Sequence, residues 1–190
     1  MEAMSFMDHS IDVNSLLQEV MNREDHAELI DGQIIVINRT SPAHNDALLE
    51  IAGALGRFIK SKNGKCRVFT ENVAVFCDEL CAEKGNFFMP DVMTVCNEDG
   101  IRDDGVHVAP SFVAEVTSES TRKNDFGKKL QIYGEMGVKE YWVVDLQNKR
   151  VVQYLEENDF APEIIAYPST TTLSVHVYPG LKIDLSLIFQ

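Results

Sequence analysis

The sequence lacks long apolar stretches and a basic leader, and both absences limit where the protein is expected to act. No apolar run of about 18 residues, the length typical of a membrane-spanning helix, occurs among the 190 residues. Residues 1–20 carry acidic side chains where a secretory signal peptide would carry Lys or Arg. We therefore expect a cytoplasmic protein without a membrane partner.

Positive charge is also scarce. The chain has 17 Lys and Arg against 30 Asp and Glu, which gives a net charge of −13. Proteins that bind nucleic acids mainly by neutralising phosphates are basic or carry a basic stripe, whereas the basic residues here form short clusters at 57–65 and 122–129. Avid nonspecific binding of nucleic acid is not expected, but an acidic site for a divalent cation is compatible with this charge.

Cysteine is infrequent, and its spacing does not predict a metal site. A chain of this length buries a core without disulfides, so we expect reduced thiols at Cys66, Cys77, Cys81 and Cys96. Cys77 and Cys81 are separated by three residues, but no second pair of Cys or His follows at the spacing of a zinc finger. A structural zinc site is therefore not expected.

Repeats and low-complexity linkers are absent, which indicates one domain. We expect residues 1–24 to form an N-terminal helical extension and residues 25–190 to form a single folded domain. Helices are predicted at 15–22, 43–62 and 125–136, the last with Asp125 as N-cap and Gly137 as its end. Strands are predicted at 26–30, 33–37, 66–76, 87–96, 111–117, 139–146, 150–158, 163–168 and 181–189.

The order of these elements predicts the fold class. Asp31 and Gly32 separate the first two strands as in a tight hairpin, and later strands alternate with helices without regular βαβ repeats. This pattern is typical of an α/β (α+β) protein with a mixed sheet flanked by helices and a β-rich C-terminal end.

Two apolar strands each carry one carboxylate, Asp91 and Glu115. An ionised carboxylate in an apolar setting needs a cation, a hydrogen-bond donor or water beside it. If the two strands pair, both carboxylates can share one cation. Alternatively, Glu115 is the structural partner of Arg122 or Lys123 in a buried ion pair.

The helix after Glu115 carries Asp125, Lys129 and Tyr133 at intervals of four residues, which places them on one side. A helix that returns over the sheet would bring Lys129 to the carboxylates. Lys129 is preferred to Lys128 because it lies beside the apolar stripe of the helix. Its ammonium could orient a water, help to deprotonate it, or stabilise charge on a phosphate.

These residues stand in an order that resembles a known family. PDVMTV at 90–95 and PSFVAEVTSESTRKNDFGKKLQIYGEMGVKEYWVVD at 110–145, with ELIDG at 28–32 and SPAHN at 41–45, resemble the Uma family of restriction endonuclease domains. That family belongs to the PD-(D/E)XK nuclease superfamily. The resemblance extends over about residues 28–189.

The resemblance implies a restriction-endonuclease-like fold and a metal-dependent endonuclease that hydrolyses DNA and works as a homodimer. Asp91 and Glu115 match the acids that bind Mg²⁺ or Mn²⁺, and Lys129 matches the lysine that assists hydrolysis. The superfamily signature has a lysine two residues after the glutamate, where this chain has Thr117. The remaining expected pocket residues are Glu28, His44, Asp125 and Tyr133.

Two other functions stay open at this stage. The net charge and Thr117 favour a nuclease-fold protein that does not cut and serves as a binding or assembly module. A metal-dependent hydrolase of small phosphate esters would also explain the acidic surface. Individual residues have structural alternatives too, since His44 suits an ordinary helix start and Tyr133 an ordinary core aromatic.

Overall fold

The computed structural model describes residues 12–37, 39–158 and 165–190. Within these ranges the helices are α1 (Val13–Met21), α2 (Pro42–Ser61), α3 (Arg122–Asp125) and α4 (Lys128–Met136). The strands are β1 (Ala27–Ile30), β2 (Gln33–Val36), β3 (Arg67–Thr70), β4 (Val92–Val95), β5 (Ile101–Arg102), β6 (Gly105–Val106), β7 (Phe112–Thr117), β8 (Glu140–Asp145), β9 (Arg150–Leu155), β10 (Ile165–Pro168), β11 (Thr172–Ser174) and β12 (Lys182–Asp184).

A six-stranded mixed sheet in the order β10-β9-β8-β7-β4-β3 forms the centre of the fold. β7 and β8 are parallel, and the other neighbours are antiparallel. Every residue of β7 and β8 is buried, as expected for central strands that are covered on both faces. The predicted fold class, a mixed sheet flanked by helices, is confirmed.

The alternation of side chains along β7 sorts them between two hydrophobic clusters. Phe112, Ala114 and Val116 pack in a cluster that also holds the buried face of α2. Val113 packs in the cluster that holds Ile132 of α4. α2 and α4 therefore cover opposite faces of the sheet, and α4 lies on the face toward which Glu115 points.

Local sequence signals account for several element boundaries. Ser41 caps α2 by accepting a hydrogen bond from the His44 backbone amide at 3.2 Å, and Gly137 ends α4 in the left-handed conformation, with φ of 82°. Asp31 and Gly32 have φ of 52° and 71°, as the predicted tight turn between β1 and β2 requires.

The predicted helix at 125–136 is wrong at its start. Asp125 is not its N-cap but the last residue of α3, and α4 begins at Lys128. Gly127 interrupts the helix with φ of −124° and ψ of −96°, and a side chain there would place a Cβ only 2.7 Å from the Lys123 carbonyl oxygen. The break lets the backbone turn sharply between the two helices.

Several predicted strands are shorter in the structure. The segment 66–76 forms a strand only over β3, and the tail at 181–189 forms β12 followed by a single 3₁₀ turn. The segment between the strands predicted at 87–96 and 111–117 contains the short hairpin of β5 and β6. Residues 163 and 164, predicted as the start of a strand, lie outside the described residues.

The expectation of four reduced cysteines is also wrong. Cys66 and Cys96 form a disulfide with a Cα–Cα distance of 4.0 Å, whereas Cys77 and Cys81 are free thiols. The antiparallel register of β3 and β4 pairs Arg67 with Val95, and one further step along both strands sets the two bonded cysteines opposite each other.

α1 packs against the hairpin of β1 and β2 in a third hydrophobic cluster that includes Val20 and Leu29. The division into an extension at 1–24 and a domain at 25–190 stays a proposal. Among the described helices, none has the length and apolar character needed to cross a membrane.

Candidate active site

A cavity of about 220 Å³ opens where the start of α2, the end of β3 and the start of β4 meet β7 and α4. The sheet register explains this convergence: β4 and β7 pair Val92 with Ala114, so the next step along each strand brings Asp91 beside Glu115. The sequence-predicted residues that line the cavity are Glu28, His44, Asp91, Glu115, Asp125 and Lys129.

Asp91 directly precedes β4 and is held in place by the neighbouring strand, β7. Its Oδ2 accepts a hydrogen bond from the Val116 backbone amide at 2.6 Å, and the same oxygen lies 3.3 Å from Nε2 of His44. The Asp91 side chain keeps 15% of its surface exposed, so the carboxylate faces the cavity while its position is fixed.

Glu115 is buried, with 3% of its surface exposed. Its Oε1 accepts hydrogen bonds from Nζ of Lys129 at 3.0 Å and from the hydroxyl of Tyr133 at 2.6 Å. Burial raises its pKa well above the ordinary value, Lys129 opposes that rise, and Asp91 adds to it. The ion pair of Glu115 is thus with Lys129; Arg122, one of its possible partners, instead pairs with Asp145 at 2.8 Å.

Lys129 reaches the carboxylates, as the spacing on α4 predicts, and it is only 4% exposed. Nζ lies 2.9 Å from Glu28 and 3.0 Å from Glu115, with Asp125 at 3.9 Å. Burial alone would lower its pKa, but the three carboxylates outweigh burial and raise it well above the ordinary value. Lys128 points elsewhere and pairs with Glu83.

Glu28 connects β1 to the segment that precedes Asp91. Its Oε1 accepts hydrogen bonds from Nζ of Lys129 at 2.9 Å and from the Met89 backbone amide at 2.7 Å. Glu28 is 1% exposed, so its carboxylate acts as a fixed anchor for the ammonium.

Asp125 of α3 lines the cavity, whereas Tyr133 of α4, expected as a pocket residue, is not among the side chains that line it. Tyr133 is fully buried, which makes it a core aromatic, and its hydroxyl is nevertheless a donor to Glu115. Burial, and after it the Glu115 charge, raises the pKa of Tyr133 well above its ordinary value. Asp125 is 2% exposed, and burial raises the pKa of its carboxyl, with Lys129 opposing the rise.

A further donor, Glu71, lies beside Asp91 and carries no signal in the sequence, where it falls within the strand predicted at 66–76. In the structure it lies in the turn that follows β3. One donor atom each from His44, Glu71 and Asp91 lies within 4.8 Å of the other two. Glu71 can be identified as a candidate ligand only from the folded arrangement of β3, β4 and α2.

The composition of the site fits a divalent cation. Glu28, Glu115 and Asp125 surround the Lys129 ammonium, and Asp91 lies close enough to raise the pKa of Glu115. Negative charge therefore exceeds positive charge, and carboxylate oxygens are preferred ligands of Mg²⁺ and Mn²⁺. The side chains expected to hold the ion, Asp91 and Glu115, both line the cavity.

Comparison with known proteins agrees with the fold. The model of the Uma2 family, described as "Putative restriction endonuclease", matches residues 13–186. Among solved structures, a crystal structure from Anabaena variabilis ATCC 29413, described as a "putative nuclease belonging to DUF820", superposes with a TM-score of 0.74. The two sequences are 17% identical, and the match covers 94% of this chain and 97% of that chain. No protein with a curated description matches the sequence.

Proposed function

The chain belongs to the Uma2 family of nucleases, and we propose that it is a divalent-metal-dependent endonuclease that hydrolyses phosphodiester bonds of DNA. The observation that carries this proposal is the meeting of Asp91, Glu115 and Lys129 at one cavity, with the lysine amine 3.0 Å from Glu115. An acid pair beside a fixed ammonium is the arrangement that phosphodiester hydrolysis needs.

Each side chain has a distinct task in the proposed reaction. Asp91 and Glu115 would hold the cation, which when bound would supply a Lewis acid for the phosphate and lower the pKa of its bound water. Lys129 is held as a cation by Glu28 and Glu115, so it stabilises the charge that grows on the phosphate oxygens. Tyr133 fixes the Glu115 carboxylate through its hydroxyl.

Plasmid cleavage tests the proposal. The protein with Mg²⁺ or Mn²⁺ is expected to convert supercoiled DNA to nicked or linear DNA, and chelation is expected to stop the reaction. Asp91→Asn and Glu115→Gln keep side-chain size but remove charge, so each is expected to lower the cleavage rate roughly 100-fold or more. Glu157→Gln, at an exposed glutamate outside the cavity, is the matched control.

The same assay separates the proposal from the other functions. Cleavage that persists in both variants would come from a contaminating nuclease, and absence of cleavage with either cation would favour the noncatalytic binding module. Hydrolysis of nucleotides but not of DNA would identify a small-ester hydrolase. We also propose a homodimer, because two copies would present one site to each strand; linear product together with a dimeric mass by light scattering would support it.

A further inference from the structure

We propose that His44 and Glu71 bind the same cation as Asp91, and that the site they form prefers Mn²⁺ and similar transition ions to Mg²⁺. The inference rests on the proposed function, since Asp91 serves both. It adds two ligands outside the acid pair of Asp91 and Glu115, and it names the class of ion.

The spacing of the three side chains suits one ion. Their donor atoms lie within 4.8 Å of one another, and the pair formed by Nε2 of His44 and Oδ2 of Asp91 is 3.3 Å apart. An ion that holds octahedral ligands at about 2.1 Å separates adjacent ligands by about 3 Å and opposite ligands by about 4.2 Å. Small side-chain rotations would bring all three donors to one centre.

His44 lies in the first turn of α2 and is buried there. Its side chain is nine-tenths buried and lines the cavity, and among the described residues Nδ1 has no hydrogen-bond partner. A buried imidazole nitrogen without a partner costs free energy, whereas the other ring nitrogen, Nε2, faces Asp91 and is the atom that would bind the ion. Asp91 at 3.3 Å and the nearby Glu71 are anions that would favour a cation at this point.

Glu115 is less available than Asp91 as a ligand of the ion. Its Oε1 already accepts two hydrogen bonds, from Lys129 and Tyr133, whereas Glu71 and Asp91 are only half-buried. The ion is therefore expected nearer His44 and Glu71, with Glu115 as the more distant member of the acid pair that holds it.

The chemistry of the ligands sets the preference among ions. Mg²⁺ takes oxygen ligands almost exclusively and keeps much of its water, whereas imidazole nitrogen suits later first-row ions. One imidazole with two carboxylates is a mixed set that binds Mn²⁺, Co²⁺ or Zn²⁺ more tightly than Mg²⁺.

Electron spin echo spectroscopy of bound Mn²⁺ tests the inference without reference to DNA cleavage. The chelator-treated protein loaded with Mn²⁺ is expected to show modulation from a ¹⁴N ligand, and biosynthetic ¹⁵N-histidine is expected to change that modulation to the ¹⁵N pattern. The ¹⁵N-histidine experiment uses the unaltered protein, so its result is valid even if a variant at His44 does not fold.

Titration calorimetry gives the second readout. Mn²⁺ is expected to bind at least tenfold more tightly than Mg²⁺, and His44→Gln and Glu71→Gln are each expected to weaken Mn²⁺ binding at least tenfold. His176→Gln and Glu157→Gln, a surface pair 3.5 Å apart and away from the cavity, are the matched controls and should bind Mn²⁺ like the unaltered protein. Thermal unfolding without metal shows whether each variant is folded.

Three results would overturn the inference. They are the absence of nitrogen modulation, equal affinity for Mn²⁺ and Mg²⁺, or unchanged binding in both His44→Gln and Glu71→Gln. If Glu115→Gln alone abolished binding, the ion would lie between Asp91 and Glu115, which refutes this site and leaves the proposed nuclease intact. If Mn²⁺ bound as expected but DNA were not cut, the cation site would stand and the proposed function would fail.

Discussion

Lys129 is surrounded by negative charge that only a cation can balance. Glu28 and Glu115 contact its ammonium directly, and Asp125 lies 3.9 Å away. Lys129→Met keeps the length of the side chain but leaves these buried carboxylates without their partner. We expect the free energy of unfolding to fall by about 3 to 5 kcal/mol at neutral pH, as measured by urea denaturation in metal-free buffer.

The loss in free energy of unfolding caused by Lys129→Met should become smaller as the pH falls. The pKa of Glu115 is already raised by burial and by neighbouring acids, so its carboxyl takes up a proton as the pH falls. A protonated carboxyl needs no cation, and the difference between Lys129→Met and the unaltered protein is therefore expected to shrink toward acid pH.

The adjacent lysine is a natural control for this prediction. Lys128 pairs with Glu83 and Asp31 near the surface, outside the cavity. Lys128→Met is expected to cost less than about 1 kcal/mol at any pH. Equal losses for the two variants would mean that the buried carboxylates do not depend on Lys129.

Asp145 joins three elements at the end of the central sheet. Its side chain is fully buried at the end of β8 and accepts hydrogen bonds from Asn148 at 2.8 Å and from Arg150 at 3.2 Å, while Arg122 of α3 lies 2.8 Å away. Burial alone would raise its pKa, but Asn148 and the two arginines outweigh burial and hold the pKa below its ordinary value of 3.8. The carboxylate thus ties the helix that precedes α4 to the sheet.

A lowered pKa gives a stabilisation that acid removes. The contribution of Asp145 is complete above pH 3.8 and is lost as the pH falls below that value through the lowered pKa of the folded protein. Asp145→Asn is expected to lower the free energy of unfolding by about 2 kcal/mol at neutral pH, with the difference disappearing in strong acid. Chemical denaturation across this pH range measures both effects.

The exposed Asp103 provides the comparison for Asp145. Asp103→Asn is expected to leave the free energy of unfolding within about 0.5 kcal/mol of the unaltered protein. A pH-independent loss for Asp145→Asn would show that shape and hydrogen bonding, rather than charge, hold α3 to the sheet.

Elements with local signals could be predicted from the sequence, and elements set by tertiary contacts could not. The turn at Asp31 and the end of α4 at Gly137 depend on backbone conformations that their own residues favour. The bond between Cys66 and Cys96 depends instead on the register of two strands. The break at Gly127 depends on the close approach of the Lys123 carbonyl oxygen, which is seen only in the folded backbone.

The same division applies to the site. Asp91, Glu115 and Lys129 could be selected because their strands and helix carry recognisable periodicity and a family resemblance. The partner of Lys129, Glu28, lies 101 residues away along the chain, and its pairing followed from no spacing rule. Glu71 could not be selected because its relevance comes only from the three-dimensional meeting of β3, β4 and α2.

At the scale of the whole molecule, a net charge of −13 opposes the approach of DNA. A nuclease with this charge must gain attraction for phosphate locally, and a divalent cation at Asp91 would supply it. We expect no measurable binding to duplex DNA in EDTA, with a dissociation constant weaker than about 10⁻⁴ M, and at least a tenfold gain when Mn²⁺ is added.

Fluorescence anisotropy with the Glu115→Gln variant measures this gain in DNA affinity. The variant is expected to bind the ion through His44, Glu71 and Asp91 but not to cut the DNA probe. Adding Asp91→Asn to it should abolish the effect of Mn²⁺, which separates binding at the site from screening by the ion in solution. Tight binding in EDTA that weakens steeply with salt would instead identify a basic surface as the attachment site. In that case the lysine and arginine clusters, rather than the cation, would determine where DNA binds this acidic protein.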